Sequence, residues 1–134
     1  ECLESIGRVL KRFAKRPSDI CARYGGEEFA LVYGGIGLEH AEVLAKEILN
    51  EIRSLNIPNE HSPTLPTLTA SIGLSTMYPN NKNNERDLIG KSDKLLFSAK
   101  NKGRNQIAVS WAQMIKETLK PRIHWSAHAF SWFN

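Results

Sequence analysis

Apolar positions Leu3, Ile6, Leu10 and Phe13 recur at the spacing of one helical face, so a helix is predicted from the first residues towards Arg16-Pro17. The chain opens inside this amphipathic pattern with no capping residue ahead of it, and truncation of a longer domain is the simplest expectation. Proline disfavours helical geometry in the residue before it, which ends the element. Residues 20–24 and 29–33 are rich in aromatic and branched side chains and read as strands. Gly25-Gly26-Glu27-Glu28 joins them as a tight hairpin, with glycines free to take positive φ. Ala41, Leu44, Ala45, Ile48, Ile52 and Leu55 form a second helical stripe. After a proline-rich loop over 61–66, residues 67–77 are predicted as a strand with a bulge at Gly73. A polar loop over 78–84 leads into a third helix, with Asn84 as its N-cap and Gly103 at its C-terminal cap. Leu88, Ser92, Leu95, Leu96 and Ala99 line that helix, and residues 106–109 form a last short strand. The order helix, strand, strand, helix, strand, helix, strand implies an α/β sandwich, a mixed central sheet with helices packed around it. Residues 111–134 do not continue the pattern, so the chain divides into a domain over 1–109 and an extension over 110–134.

Composition adds limits. The 134 residues suit one domain, and 41% hydrophobic with 24% charged residues is an ordinary globular balance. No apolar run approaches the ~18 residues of a membrane span, and Glu1-Cys2-Leu3-Glu4 does not begin a signal peptide. Cys2 and Cys21 lack CxxC spacing and are expected as buried thiols of a cytosolic protein, Cys21 in the core. The net charge of +4 leans mildly towards anionic ligands such as nucleotides and names none of them.

The stretch Arg23-Tyr24-Gly25-Gly26-Glu27-Glu28-Phe29 carries the most chemistry. Two adjacent carboxylates on a glycine hairpin repel each other, and a divalent cation removes that repulsion. Mg²⁺ takes one or two carboxylates together with phosphate oxygens, and bare glycine backbone admits a triphosphate closely. The ordinary alternative for an isolated GGEE is a solvated acidic turn. Lys100 and Arg104 stand four apart at a helix end, suited to phosphate or simply to the helix dipole. Arg16-Pro17-Ser18-Asp19 is an RxxD tetrapeptide, by itself most often a surface turn. His124 and His128 have the i, i+4 spacing of a helical zinc pair. No carboxylate or cysteine completes that set, so an ordinary structural role is preferred.

RYGGEEF resembles the signature of the GGDEF family in its GGEEF form. Ser92-Asp93-Lys94-Leu95-Leu96-Phe97-Ser98-Ala99-Lys100 is similar to the family's ADxALYxAK helix, Gly103-Arg104-Asn105-Gln106 to its GRNR, and Ser71-Ile72-Gly73 to its SIG strand. The order and spacing agree over residues 1 to about 109. The resemblance implies a diguanylate cyclase, which joins two GTP molecules into cyclic di-GMP and releases two pyrophosphates, with two domains facing each other as a homodimer. It makes Glu28 a ligand of Mg²⁺ or Mn²⁺. Glu27 becomes the candidate general base and a second contact to the metal. Gly25 and Gly26 line the nucleotide, and Lys100 and Arg104 take the triphosphate. Arg16 and Asp19, with five residues between Asp19 and Gly25, resemble the family's product-inhibition site; Lys46 and Glu47 stand where some members carry a further arginine. The setting implied is cytoplasmic, with no nucleic acid polymer and no membrane contact.

The resemblance also implies an upstream central strand with a metal-binding aspartate, followed by an Asn and an Asp that recognise guanine. These are not in the chain, so an open core, an incomplete site and inactivity of the chain alone are expected. One alternative is a non-catalytic module that binds GTP or cyclic di-GMP as a receptor. Another is RNA binding, because residues 23–30 superficially resemble an RRM motif. Two glutamates where RNA phosphates would lie make that reading poor.

Overall fold

A computed structural model of the chain describes residues 1–77, 82 and 84–110, and the backbone path over 125–131. Among the described residues, three helices and five strands follow in the order α1 (Cys2–Phe13), β1 (Ile20–Arg23), β2 (Glu28–Gly34), α2 (Leu38–Ser54), β3 (Ser71–Met77), α3 (Glu85–Asn101), β4 (Ile107–Val109) and β5 (Trp125–Ser131). The strands form one sheet in the order β1-β2-β5-β3-β4. Only β3 and β4 run parallel; the other neighbours are antiparallel. The predicted mixed α/β sandwich is the observed architecture.

Alternation along the strands sends residues to the two faces in turn. Phe29, Leu31, Tyr33, Ile72 and Leu74 pack with Ile6, Val9 and Leu10 of α1 and Ala41, Ala45, Ile48 and Ile52 of α2 in one buried cluster. Removing each large aliphatic side chain from water in that cluster contributes roughly 1.5–3 kcal/mol. On the opposite face, Met77 and Leu88 form a second cluster with Val32 and Ile89, which seats α3. Ser75 Oγ lies buried there, donating to the Leu88 carbonyl at 3.1 Å and paired with Ser92 Oγ.

Helix α3 begins with a full capping box: Asn84 Oδ1 accepts from the amides of Arg86 and Asp87, and the Asp87 carboxylate accepts from the Asn84 amide. Gly103 follows its end with φ +115°, a conformation that L side chains avoid. Helix α1 stops at Phe13, ahead of the predicted Arg16-Pro17 boundary.

Three expectations are corrected. Gly73 is no bulge: it holds regular register with Ala108 of β4 and Ala129 of β5. Its bareness serves α3, because an added Cβ would stand 2.1 Å from the Ser92 carbonyl oxygen and 2.4 Å from the Leu96 amide nitrogen. Strand β3 starts at Ser71, later than predicted, because Thr67 and Leu68 bond back to Pro58 and Ile57 of the preceding loop. The position between β2 and β3 is not vacant in the sheet, because the backbone of β5 pairs with both over its whole length. The predicted loop at 78–84 lies largely outside the described residues, as does His124. His128 lies on a strand, so the pair has no helical i, i+4 geometry.

Candidate functional site

The GGEE turn is built by its own backbone. The amides of Tyr24 and Gly25 both donate to the Glu28 carbonyl, at 2.8 and 3.2 Å. The Arg23 guanidinium folds over the turn, its Nη2 donating to the Gly26 carbonyl at 2.6 Å and its Nε to the carbonyls of Gly25 and Gly26 at 3.3 and 3.1 Å. Neither glycine has positive φ; among the described glycines that conformation belongs to Gly35 and Gly103. A Cβ on Gly26 would meet no atom within 4 Å, and one on Gly25 only the Glu28 side chain at 3.6 Å. The fold itself therefore does not demand glycine there, and what the two residues provide is open space on the side a Cβ would fill, while Arg23 takes their carbonyls.

Glu27 ends the turn, half-buried, and Glu28 opens β2. Across the sheet face, Lys100 in the last turn of α3 brings its Nζ to 3.6 Å from Glu28 Oε1. The Lys100 side chain is 23% exposed and that of Glu28 40%, so the pair is open to an incoming ligand. Asp93, two turns earlier on α3, lines the same small cleft as Tyr24, Glu28, Phe29 and Ile89. Burial pushes the Asp93 carboxyl above its ordinary range, and the negative Glu28 adds to the shift. Sequence reasoning gave Asp93 no role; its place in the ADxALYxAK-like stretch was the available signal.

Arg104 lies past the end of α3 in left-handed backbone with φ 61°, so helical spacing does not relate it to Lys100. Its Nε is buried with no hydrogen-bond partner. A buried donor without an acceptor is costly, and an anionic oxygen would satisfy it. Among the described residues, no group of three or more His, Cys, Asp and Glu is arranged to hold a metal ion. The donor set present, Glu28 with Glu27 and Asp93 close by, suits an Mg²⁺ that arrives already bound to a triphosphate, since that ion asks the protein for only one or two carboxylates.

Arg16 and Asp19 sit apart from this cleft. Asp19 Oδ2 accepts from the Arg16 amide at 2.9 Å, and Oδ1 from Arg16 Nε at 3.0 Å and Nη2 at 2.9 Å. Arg16 Nη2 also donates to the Gly34 carbonyl at 2.7 Å. The Asp19 side chain is 3% exposed and that of Arg16 45%. The two line a cleft with Phe13, Tyr33, His40 and Glu47. Lys46 is paired with Glu42 at 3.1 Å. The tetrapeptide is thus a closed turn with both partners engaged.

Comparison with known proteins bears on this arrangement directly. The family model described as "Diguanylate cyclase, GGDEF domain" matches residues 1–106. The chain belongs to the GGDEF family. It is 33% identical to Diguanylate cyclase VdcA of Vibrio cholerae over 107 residues, which cover 75% of this chain and 31% of that protein. It is 34% identical to Probable diguanylate cyclase DgcT of Escherichia coli over 94 residues, 70% of this chain and 21% of that protein. Diguanylate cyclase A of Treponema denticola is 29% identical over 108 residues, 81% of this chain and 28% of that protein. This GGDEF chain therefore spans about a third or less of the curated relatives it matches. The matched residues hold the GGEE turn and Lys100, while β5 follows the end of the family match.

Proposed function

We propose that this GGDEF domain works in a diguanylate cyclase that condenses two GTP molecules into cyclic di-GMP. The observation that carries the reading is the Glu28–Lys100 pair at 3.6 Å, which joins a carboxylate turn to a cationic helix end beside two glycines with open space where a Cβ would stand. Anion-binding and cation-binding groups within one cleft suit a metal triphosphate better than either group alone. Lys100 and the unpartnered Arg104 Nε would hold phosphate oxygens, Gly25 and Gly26 would let the nucleotide lie on the backbone, and Glu28, with Glu27 beside it, would hold Mg²⁺ or Mn²⁺. The metal, when bound, neutralises charge building on the phosphoryl group. Glu27 accepts the proton of a ribose 3′-hydroxyl. The freed oxygen forms a bond to the α-phosphorus of a GTP on the facing domain of a homodimer. The bond between the α-phosphorus and the bridging oxygen breaks, and pyrophosphate leaves with the electron pair. A second such step closes the ring.

The family resemblance places a metal-binding aspartate on an upstream strand, and the chain does not contain it, so the set of metal donors is one short. The chain alone is therefore inactive, and the partners it meets are GTP and cyclic di-GMP in the cytoplasm. No helix among the described residues is long and apolar enough to cross a membrane. The same shortage of donors favours the second reading, a receptor that binds GTP or cyclic di-GMP without turnover. A chimera in which this chain replaces the matching segment of a full-length diguanylate cyclase separates the two. Incubated with GTP and Mg²⁺, it yields cyclic di-GMP by chromatography under the first reading. Nucleotide binding by calorimetry with no product favours the receptor.

Arg16 and Asp19 are proposed as a product-inhibition site. A guanine offers O6 and N7 to an arginine fork and N–H donors to a carboxylate. Because the two side chains already satisfy each other, product must open their pair, and part of its binding energy goes into that exchange.

A further inference from the structure

Three consecutive residues after α3, Gly103, Arg104 and Asn105, have positive φ, at 115°, 61° and 50°. Glycine takes that conformation freely and asparagine tolerates it, but an arginine stays there only where its surroundings hold it. The holding contacts come from three sides. From α3, the Lys100 carbonyl accepts from the Gly103 amide at 3.4 Å and the Ala99 carbonyl from the Arg104 amide at 3.0 Å. Within the turn, Gln106 Nε2 donates to the carbonyls of Lys102 at 2.9 Å and Arg104 at 3.0 Å. From across the fold comes Arg53, half-buried in the last turn of α2. Its Nε donates to Asn105 Oδ1 at 2.9 Å and its Nη2 to the Asn105 carbonyl at 3.1 Å. Its Nη1 donates to Asn50 Oδ1 at 3.2 Å. All three guanidinium nitrogens are thus engaged inside the protein, and the fork grips one residue by side chain and backbone together. A helix-end arginine that served only the helix dipole would need no such grip. The residue carried by this gripped turn is Arg104, whose buried Nε has no hydrogen-bond partner among the described residues.

We propose that Arg53 is a positioning residue for the nucleotide's phosphates: it does not meet the ligand, and it locks the turn 103–105 in the left-handed form that keeps Arg104 in place for a phosphate oxygen. The inference rests on the reading above in which Arg104 takes the triphosphate. Holding the turn before the ligand arrives removes an ordering cost that binding would otherwise meet. The role is specific to arginine, because a lysine brings the charge without the planar fork that reaches both oxygens of Asn105.

The test compares the chimera with its Arg53→Lys, Arg104→Ala and doubly substituted forms. The probe is 3′-deoxyguanosine triphosphate with Mg²⁺, which lacks the attacking hydroxyl and so reads binding alone, followed by calorimetry. Each single substitution is expected to weaken binding about fivefold or more, and the double substitution to be no more than about twofold weaker than Arg104→Ala alone, since Arg53 acts only through Arg104. Fully additive losses, or an Arg53→Lys chimera that binds as tightly as its parent, overturn this inference and leave the cyclase reading intact. A parent chimera that binds no nucleotide overturns that reading and this inference with it. Hydrogen exchange in the chain itself, without nucleotide, gives an independent measurement. Arg53→Lys is expected to speed exchange of the Gly103 and Arg104 amides about tenfold or more while the middles of α2 and α3 keep their protection. Unchanged exchange at 103–104, or acceleration spread evenly through both helices, also overturns the assignment.

Discussion

Glu28 is the residue on which both halves of the candidate site converge. In the chimera, Glu28→Gln keeps the shape and removes the charge that faces Lys100 and that the proposed reading gives to a metal. Its rate of cyclic di-GMP formation is expected to fall about 100-fold or more, the scale of losing one electrostatic contact in a transition state. A near-normal rate would remove Glu28 from the metal. Arg16→Ala leaves the buried Asp19 carboxylate without its charged partner. It is expected to weaken cyclic di-GMP binding by ~1.5–3 kcal/mol, the range for hydrogen bonds to charged groups, read by calorimetry. Cys21 gives a pH signature. Burial pushes its thiol up, against a smaller opposing pull from Lys11. The unfolded thiol ionises at its ordinary value, so the stability due to the protonated thiol is fully present below that value. It is lost as pH rises through the raised folded value. Denaturant titrations from pH 8 to 10.5 are expected to show a loss that Cys21→Ala lacks.

At the scale of elements, packing decides more than propensity. Gly73→Ala puts a Cβ into the backbone of α3, where no side chain is able to turn away. A destabilisation of about 1–3 kcal/mol or more is expected, seen as a Tm lower by several degrees. A variant as stable as the parent would mean that α3 does not approach β3 this closely. Much of this level was legible in the sequence. The stripes of α2 and α3, the Asn84 cap, the Gly103 ending and the two strands around GGEE all announce themselves locally, through period and turn chemistry. Gly73 was legible as special but not for the right reason. A bulge and a close helix crossing both call for a bare residue, and only the packing partner tells them apart. The same holds at Gly25 and Gly26, whose dihedrals are ordinary and whose value lies in the open space above them.

For the molecule as a whole, local pattern runs out where pairing is distant. The segment 125–131 carries a strand-compatible sequence, yet its two partners lie far back in the chain, and periodicity says little about which edges a strand will join. The mutual engagement of Arg16 and Asp19 was equally hidden, because an RxxD tetrapeptide reads the same whether its charges face each other or a ligand. The site's sequence motifs, by contrast, lie on three separate elements and are legible because each carries its own chemistry. The whole chain, incubated with GTP and either Mg²⁺ or Mn²⁺, is expected to give no cyclic di-GMP above a protein-free control. Turnover would show that it assembles a full metal site by itself.

The position of β5 has a consequence for how the protein is made. Every other described strand precedes it in the chain, yet it occupies the middle of the sheet. Within residues 1–134, β1 and β2 form a hairpin and β3 and β4 a parallel pair, and in this sheet 125–131 is what joins the two pairs. The final closure joins residues separated by most of the chain, the kind of contact that slows folding. A strand edge left without its partner invites pairing with other chains. Refolding of residues 1–134 is therefore expected to pass through an intermediate prone to association until the two strand pairs are joined.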